Sequence, residues 1–383
     1  MGVRQCTVEN LVTMHRSPID SFINQRVLVT GHTGFKGSWL CEWLLALGAE
    51  VHGLALEPTT SPSLFDQLRL GPRLASHTLG DIRDRTLVQD VVSRVQPRFI
   101  LHLAAQPLVR LSYSEPIETF DINVLGTAHL LDAARMLKSP CAIVSVTTDK
   151  CYENKEWLYG YREEDPLGGH DPYSASKACA EIVTAAYRRS FFGSGLPVAV
   201  ASARAGNVIG GGDWALDRIV PDCMRALKEG TSIRVRNAAA TRPWQHVLEP
   251  LGGYLVLASQ MARAQDASDR VRLAQLCSPF NFGPTLASNR SVRDLVEEVL
   301  RSWPGTWKDF TEPNAPHEAG RLMLAIDRAH HVLGWQPVWD FEKSVARTVE
   351  WYRAVAQDET KVDQLTRRQI DTYMRDAGME FRT

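Results

Sequence analysis

The feature that most constrains the fold is the run Arg26-Val27-Leu28-Val29-Thr30, which passes straight into Gly31-His32-Thr33-Gly34-Phe35-Lys36-Gly37. The aliphatic run reads as a buried strand, and the glycines permit a tight turn into a helix expected from residue 37 to residue 48. A strand that feeds a helix returns most readily as a parallel neighbour in the same sheet. The same grammar recurs at Val51 to Leu56, Arg98 to Leu103, Cys141 to Val146 and Pro197 to Ala201, each apolar run closing on a polar or glycine-rich turn. The chain is therefore expected to be α/β, a Rossmann-type doubly wound parallel sheet with helices on both faces. Ligands of such a sheet lie outside the carboxyl ends of its strands.

After about residue 203 the alternation breaks. A glycine-rich stretch, Gly206 to Trp214, follows, and seven of the ten tryptophans stand at or beyond Trp214. This reads as a smaller, interleaved C-terminal substrate lobe. The expected division is a flexible extension over 1–21, a dinucleotide-binding Rossmann domain over 22–203 rejoined by 240–285, a substrate lobe from 204–239 and 286–360, and a C-terminal tail over 361–383. Lysine plus arginine number 43 and aspartate plus glutamate 44, a net charge of −1 that excludes a field drawing nucleic acid or an anionic membrane surface. No window approaches the roughly 20 apolar residues that cross a bilayer. The seven cysteines lack any C-x-x-C pair, and Glu9 and Asp20 interrupt the amino terminus, so buried thiols in a reducing cytoplasm are expected.

Glycine spacing G-x-x-G-x-x-G at the start of a helix suits a pyrophosphate, met by backbone amides of Gly31, Thr33, Gly34, Phe35, Lys36 and Gly37. Glu57, after the second strand, either holds the ribose hydroxyls of NAD or is solvated, which leaves NAD against NADP open on this strand alone. Asp81 and Ile82 either contact an adenine or belong to a turn, and Ala104 and Ala105 fall at another strand end of the same crevice. Asn123, placed with the cofactor-binding residues, interrupts an apolar helix, either to shape the support of Tyr173 or to satisfy a kink. Tyr173 precedes Lys177 by four residues, so both lie on one helix face, where an ammonium stabilises a phenolate base. Thr148, Asp149 and Lys150 end the strand before that helix, and the last two suggest proton chemistry after an oxidation. Arg242 and Trp244, with Arg110, Asn207 and Arg218, suit a diphosphate and a stacked ring, or else pack in the lobe. His317-Glu318 has no further ligands at useful spacing, so no metal site is expected.

With these residues assembled, the chain resembles the extended short-chain dehydrogenase/reductases, and among them the nucleotide-sugar 4,6-dehydratases that act on CDP-D-glucose. The likeness is carried by Gly31–Gly37, by AAQPLVRLSYSEP from Ala104, DKCYENKEWLYGY from Asp149, GGHDPYSASK from Gly168, RAGNVIGGGDWALDRIVPD from Arg204 and RPWQHVLEPL from Arg242, within about residues 22 to 350. It implies a redox-neutral cycle on CDP-glucose with tightly bound NAD. Tyr173 takes the 4-hydroxyl proton as NAD accepts hydride from C4. Water leaves across C5 and C6, and hydride returns to C6. Relatives acting on dTDP-sugars carry an Asp-Glu pair for the elimination, whereas this chain has Asp149-Lys150. The resemblance assigns Asp149 as general acid, Lys150 to C5 proton transfer and Thr148 to the 4-hydroxyl. It also implies a homodimer or higher oligomer through the helices bearing Asn123 and Tyr173. The stretch from His317 to Asp327 is two residues longer than the resemblance leads one to expect. The competing expectations are a nucleotide-sugar 4-epimerase, which needs no elimination pair, and a catalytically silent NAD-binding protein.

Overall fold

The structure is a computed structural model that describes residues 17–192, 197–310 and 321–380. Seven strands form the main sheet: β1 (Arg26–Thr30), β2 (Glu50–Ala55), β3 (Ser76–Leu79), β4 (Phe99–His102), β5 (Cys141–Val146), β6 (Val198–Ala205) and β7 (Pro279–Phe282). Their order is β7-β6-β5-β4-β1-β2-β3, with every neighbouring pair parallel. Strands β4, β5 and β6 are buried at every residue, which is why they read as continuous apolar runs. Alternation still sorts the side chains: Val27 and Val29 join one core with Trp39 and Trp43, whereas Leu28 joins the other with Val88, Val91 and Leu130. The order reverses between β1 and β4, which opens the crevice there.

Helix Phe35–Ala46 leaves β1 two residues earlier than the glycine spacing suggested, because Gly34 rather than Gly37 is its N-cap. Strand β6 runs on to Ala205, four residues past its expected end. Its extra polar residues, Ser202 and Arg204, are buried against Glu181 of helix Pro172–Tyr187, so they interrupt the apolar pattern without ending the strand.

The smaller lobe is built from chain segments that leave and rejoin the sheet. Ile233–Val235 pairs with Trp307–Asp309, Thr241–Pro243 pairs with Asn289–Ser291, and helices Ile219–Lys228, Val292–Ser302 and Phe341–Gln357 pack around them. Between these, helix Leu248–Asp266 covers the main sheet, with Leu248, Leu251, Tyr254 and Leu255 wholly buried. The stretch expected as a C-terminal tail instead carries helix Val362–Asp376. It buries Leu365, Ile370 and Tyr373, the last against Trp43 at 5.6 Å, while its hydroxyl donates to Glu249 at 2.8 Å. Its apolar face is one stripe among many charges, so bulk composition concealed it. Most of the expected extension, 1–16, lies outside the described residues, but Ile19 is buried and Ser17 donates to the Met379 carbonyl at 2.6 Å. His317 and Glu318 also lie outside the described residues.

Candidate active site

A continuous cleft of about 2050 Å³ runs along the carboxyl ends of the strands and under the smaller lobe. That exceeds the ~300–1,000 Å³ of an ordinary small-molecule pocket, enough for a dinucleotide and a second ligand together. Its floor is the turn after β1. A Cβ on Gly31 would stand 2.7 Å from the Ala104 nitrogen and one on Gly37 would stand 2.1 Å from the Gly31 carbonyl oxygen, so close backbone packing requires both glycines. Gly34 differs, since its only near neighbour would be the Gly31 oxygen at 3.4 Å, and no side chain caps the helix it opens. The cradle thus presents first-turn amides to the cleft. Thr33 directs its hydroxyl to the Leu56 carbonyl at 2.8 Å, tying this turn to the end of β2.

Asp81, Ile82, Ala104 and Ala105 line the same cleft. Arg83 grips the Asp81 carboxylate through Nε and Nη2 at 2.9 and 2.6 Å, and these bonds hold its pKa below the ordinary value. Asn123 does not reach the cleft. Its Oδ1 accepts from the Gln106 amide at 2.9 Å and its Nδ2 donates to Ser176 Oγ at 2.8 Å. The expectation of a cofactor contact is corrected: Asn123 is a buried brace between the turn after β4 and the helix of Tyr173, as its polar place in an apolar helix suggested.

That helix starts sharply because Asp171 caps it, accepting from the Ser174 amide at 2.9 Å, and Pro172 sits in its first turn. Tyr173, Lys177 and Glu181 follow at four-residue spacing on one buried face. Burial pushes the Tyr173 phenol up to about 12, opposed first by hydrogen bonding with Thr148. Lys177 is brought down to about 8 by burial, with the Glu181 carboxylate opposing. Its ammonium donates to the Val146 carbonyl at 2.9 Å. Lys177 thus also braces the end of β5, and Thr148 is the hydrogen-bonding neighbour that eases the phenol's ionisation. A carbonyl at the end of a buried strand is an acceptor that residue spacing alone does not reveal.

Thr148 also donates to Asp149 Oδ1 at 3.0 Å. Lys150 Nζ lies 3.4 Å from that same oxygen and 3.3 Å from Asn207 Oδ1. Asp149 is 2% exposed and packs against Gly206, where a Cβ would fall 2.9 Å from its Oδ2. Tyr173, Thr148, Asp149, Lys150 and Asn207 thus form one polar chain along the cleft. Asn207, expected on the substrate, holds Lys150.

Arg110, Arg218 and Arg242 line the outer cleft. Arg218 pairs with Asp213 at 2.9 Å, Arg110 lies 3.9 Å from Asp217, and Arg242 donates to the Thr241 carbonyl. Trp244 is 4% exposed and gives its indole N–H to the Arg290 carbonyl at 3.0 Å, so it packs into the lobe's core while still lining the cleft. Sequence reasoning missed Arg234, Arg236 and Asn237, which enter the cleft from the lobe, because no local motif marks them. It also missed Glu181, although its place four residues after Lys177 was a usable signal.

Comparison with known proteins gives this site a family. The family described as GDP-mannose 4,6 dehydratase matches residues 28–348. A CDP-glucose 4,6-dehydratase of Salmonella typhimurium is 45% identical over 356 residues, covering 91% of this chain and 96% of the relative. A dTDP-glucose 4,6-dehydratase of Streptomyces antibioticus is 29% identical, covering 85% and 92%. Among solved structures, a dTDP-glucose 4,6-dehydratase from Streptomyces venezuelae with NAD bound aligns at TM-score 0.71 and 26% identity, covering 86% of this chain and 97% of that one. An epimerase from Methanothermobacter thermautotrophicus aligns at 0.73 and 19% identity over 90% and 96%, a likeness of fold alone. The chain belongs to the nucleotide-sugar 4,6-dehydratases of the extended short-chain dehydrogenase/reductase superfamily.

Proposed function

We propose that the protein is an NAD-dependent CDP-D-glucose 4,6-dehydratase that yields CDP-4-keto-6-deoxyglucose. The observation that carries this reading is Lys150, held between Asp149 and Asn207 beside Tyr173, a cation that carbinol oxidation alone does not need. The glycine cradle fits the dinucleotide: Gly34 is open toward the cleft, and the uncapped amides of the following helix suit a pyrophosphate. Gly31, Gly34, Phe35, Lys36 and Gly37 would hold it, with Asp81, Ile82, Ala104 and Ala105 alongside. When bound, NAD supplies reversible hydride exchange with the sugar and a positive charge in the cleft onto which Tyr173 faces.

Tyr173 takes the proton of the sugar 4-hydroxyl, and Thr148 steadies that oxygen as it becomes a carbonyl. The 4-ketone acidifies the C5 hydrogen. Elimination then requires a protonated Asp149, to donate to the departing 6-hydroxyl, and a neutral Lys150, to receive the C5 proton. The two groups stand 3.4 Å apart, which places acid and base together at the C5–C6 end of the sugar in this reading. The cleft arginines Arg110, Arg218 and Arg242 face the diphosphate. Incubation with CDP-glucose should yield a 4-ketone, seen by its absorbance in alkali. A hexose with an inverted 4-hydroxyl would mark an epimerase instead, and no turnover of any nucleotide sugar a silent binding protein. Lys150→Met should cut dehydration by roughly 10²- to 10⁴-fold while oxidation at C4 persists, read as reduced cofactor accumulating in a single turnover. Wild-type dehydration in that variant would remove Lys150 from the mechanism.

A homodimer is the accompanying proposal. Ile117 at 73%, Leu125 at 49% and Ile182 at 57% exposure stand on the helical segments around Asn123 and Tyr173. Ile117→Asp with Ile182→Asp should shift sedimentation from dimer to monomer; an unchanged mass would place the contact elsewhere. Among the described residues no helix is long and apolar enough to cross a membrane. The six described cysteines are free thiols, which supports a reducing, cytoplasmic setting.

A further inference from the structure

The Lys36 side chain does something the glycine loop does not require. It is the second residue of helix Phe35–Ala46, where the helix end already carries partial positive charge. Its Nζ reaches inward to the Tyr254 hydroxyl at 3.2 Å and lies 5.4 Å from that ring's centroid. Tyr254 is wholly buried on helix Leu248–Asp266. Among the described residues no carboxylate lies within ion-pair distance of Lys36. The charged groups around it are Lys177 on the helix of Tyr173, Arg218 from the lobe and Asp149 from the turn after β5. Burial foremost, then Lys177 and Arg218, bring Lys36 down to about 7, with Asp149 opposing. Lys36 also lines the cleft, as do Tyr173 and Lys177.

We propose that Lys36 is a titrating counter-charge to the cofactor, a positioning residue that loses its proton to solvent when the positively charged oxidised nicotinamide enters the cleft and keeps it when the neutral reduced ring is bound. This rests on the NAD-dependent reading above. Charge is conserved in the step, since one proton leaves as one positive ring arrives. Lys36 thereby narrows the preference for the oxidised form, which suits a cycle in which the same cofactor must hold and return hydride without leaving.

The test is equilibrium binding of NAD⁺ and of NADH to the full-length, cofactor-stripped protein between pH 6 and pH 8. For an amine titrating near 7, linkage makes wild-type NAD⁺ affinity rise about tenfold over that range, with NADH affinity flat. Lys36→Met should flatten the NAD⁺ curve and tighten NAD⁺ at pH 6. Lys36→Arg, permanently charged, should flatten it and leave NAD⁺ weak throughout. A slope that survives Lys36→Met and disappears in Lys177→Met assigns the proton to Lys177 and overturns the proposal. An equal slope for NADH does so too. Absence of any NAD binding by the wild type would overturn the functional reading as well, so the two failures are distinct.

Discussion

Arg204→Met is expected to destabilise the fold by about 3–5 kcal/mol, measured by denaturant unfolding at neutral pH. Arg204 is 3% exposed and donates to Glu181 Oε2 at 2.9 Å, to the Tyr152 hydroxyl at 2.8 Å and to the Glu163 carbonyl at 3.0 Å. Glu181 further accepts from Thr147 at 2.5 Å and Ser202 at 2.7 Å. Burial raises the Glu181 pKa, but Arg204 and the two hydroxyls outweigh it, so the net shift is downward. In the wild type this carboxylate therefore contributes stability above its unfolded pKa, lost as pH falls through the folded one. Removing Arg204 reverses the sign. Burial then dominates, the folded pKa rises above the unfolded value, and stability falls as pH increases from about 4.5. The penalty should be larger at pH 8 than at pH 5. Arg204→Met combined with Glu181→Leu should recover much of the loss, because the cost of breaking a buried pair lies largely in the stranded charge. Additive single-variant losses would show that the two residues do not act as a pair.

This network also marks where sequence reading reached its limit. Strands β1, β4 and β5 were legible because both faces are covered, so nearly every residue is apolar. Strand β3, Ser-His-Thr-Leu at the sheet edge, has no such run; its alternating intermediate and exposed residues gave only a strand-like segment before Asp81-Ile82, without clear bounds. The carboxyl end of β6 was hidden for the opposite reason, since Arg204 looks like a terminator until Glu181, 23 residues earlier, is folded against it. At the site, Asp149-Lys150 and Tyr173-Lys177 were legible because each pair is local. The contact of Lys150 with Asn207 joins loops 57 residues apart, and Lys177's acceptor is a carbonyl at the end of β5, so neither has a sequence signature. Trp244 was ambiguous because an indole suits a ligand face and a core equally, and it does both here: it is buried and bonded to Arg290, yet it also lines the cleft.

Tyr173→Phe is expected to lower turnover of CDP-glucose by roughly 10²- to 10⁴-fold, the range for loss of a positioned proton acceptor. The fold should tolerate it, because the ring volume is nearly kept and Thr148 retains Asp149 as a partner. Near-UV circular dichroism and NAD affinity should therefore stay close to wild type while ketone formation collapses. The pH dependence separates a proton acceptor from a mere contact. With the phenol at about 12 in the ligand-free protein, its ionised fraction at neutral pH is small and grows with pH, so wild-type kcat/KM should climb across the neutral range. Positive charge entering the cleft moves that limb to lower pH without changing its sign. Thr148→Val retains the phenol but removes the hydrogen bond that eases its ionisation, so the rising limb should move to higher pH. In Tyr173→Phe the limb should vanish. Turnover above about a tenth of wild type in Tyr173→Phe, or superimposable profiles for wild type and Thr148→Val, would mean that another group takes the 4-hydroxyl proton. Lys177 is a poor candidate to replace it, because its nitrogen is engaged by the Val146 carbonyl.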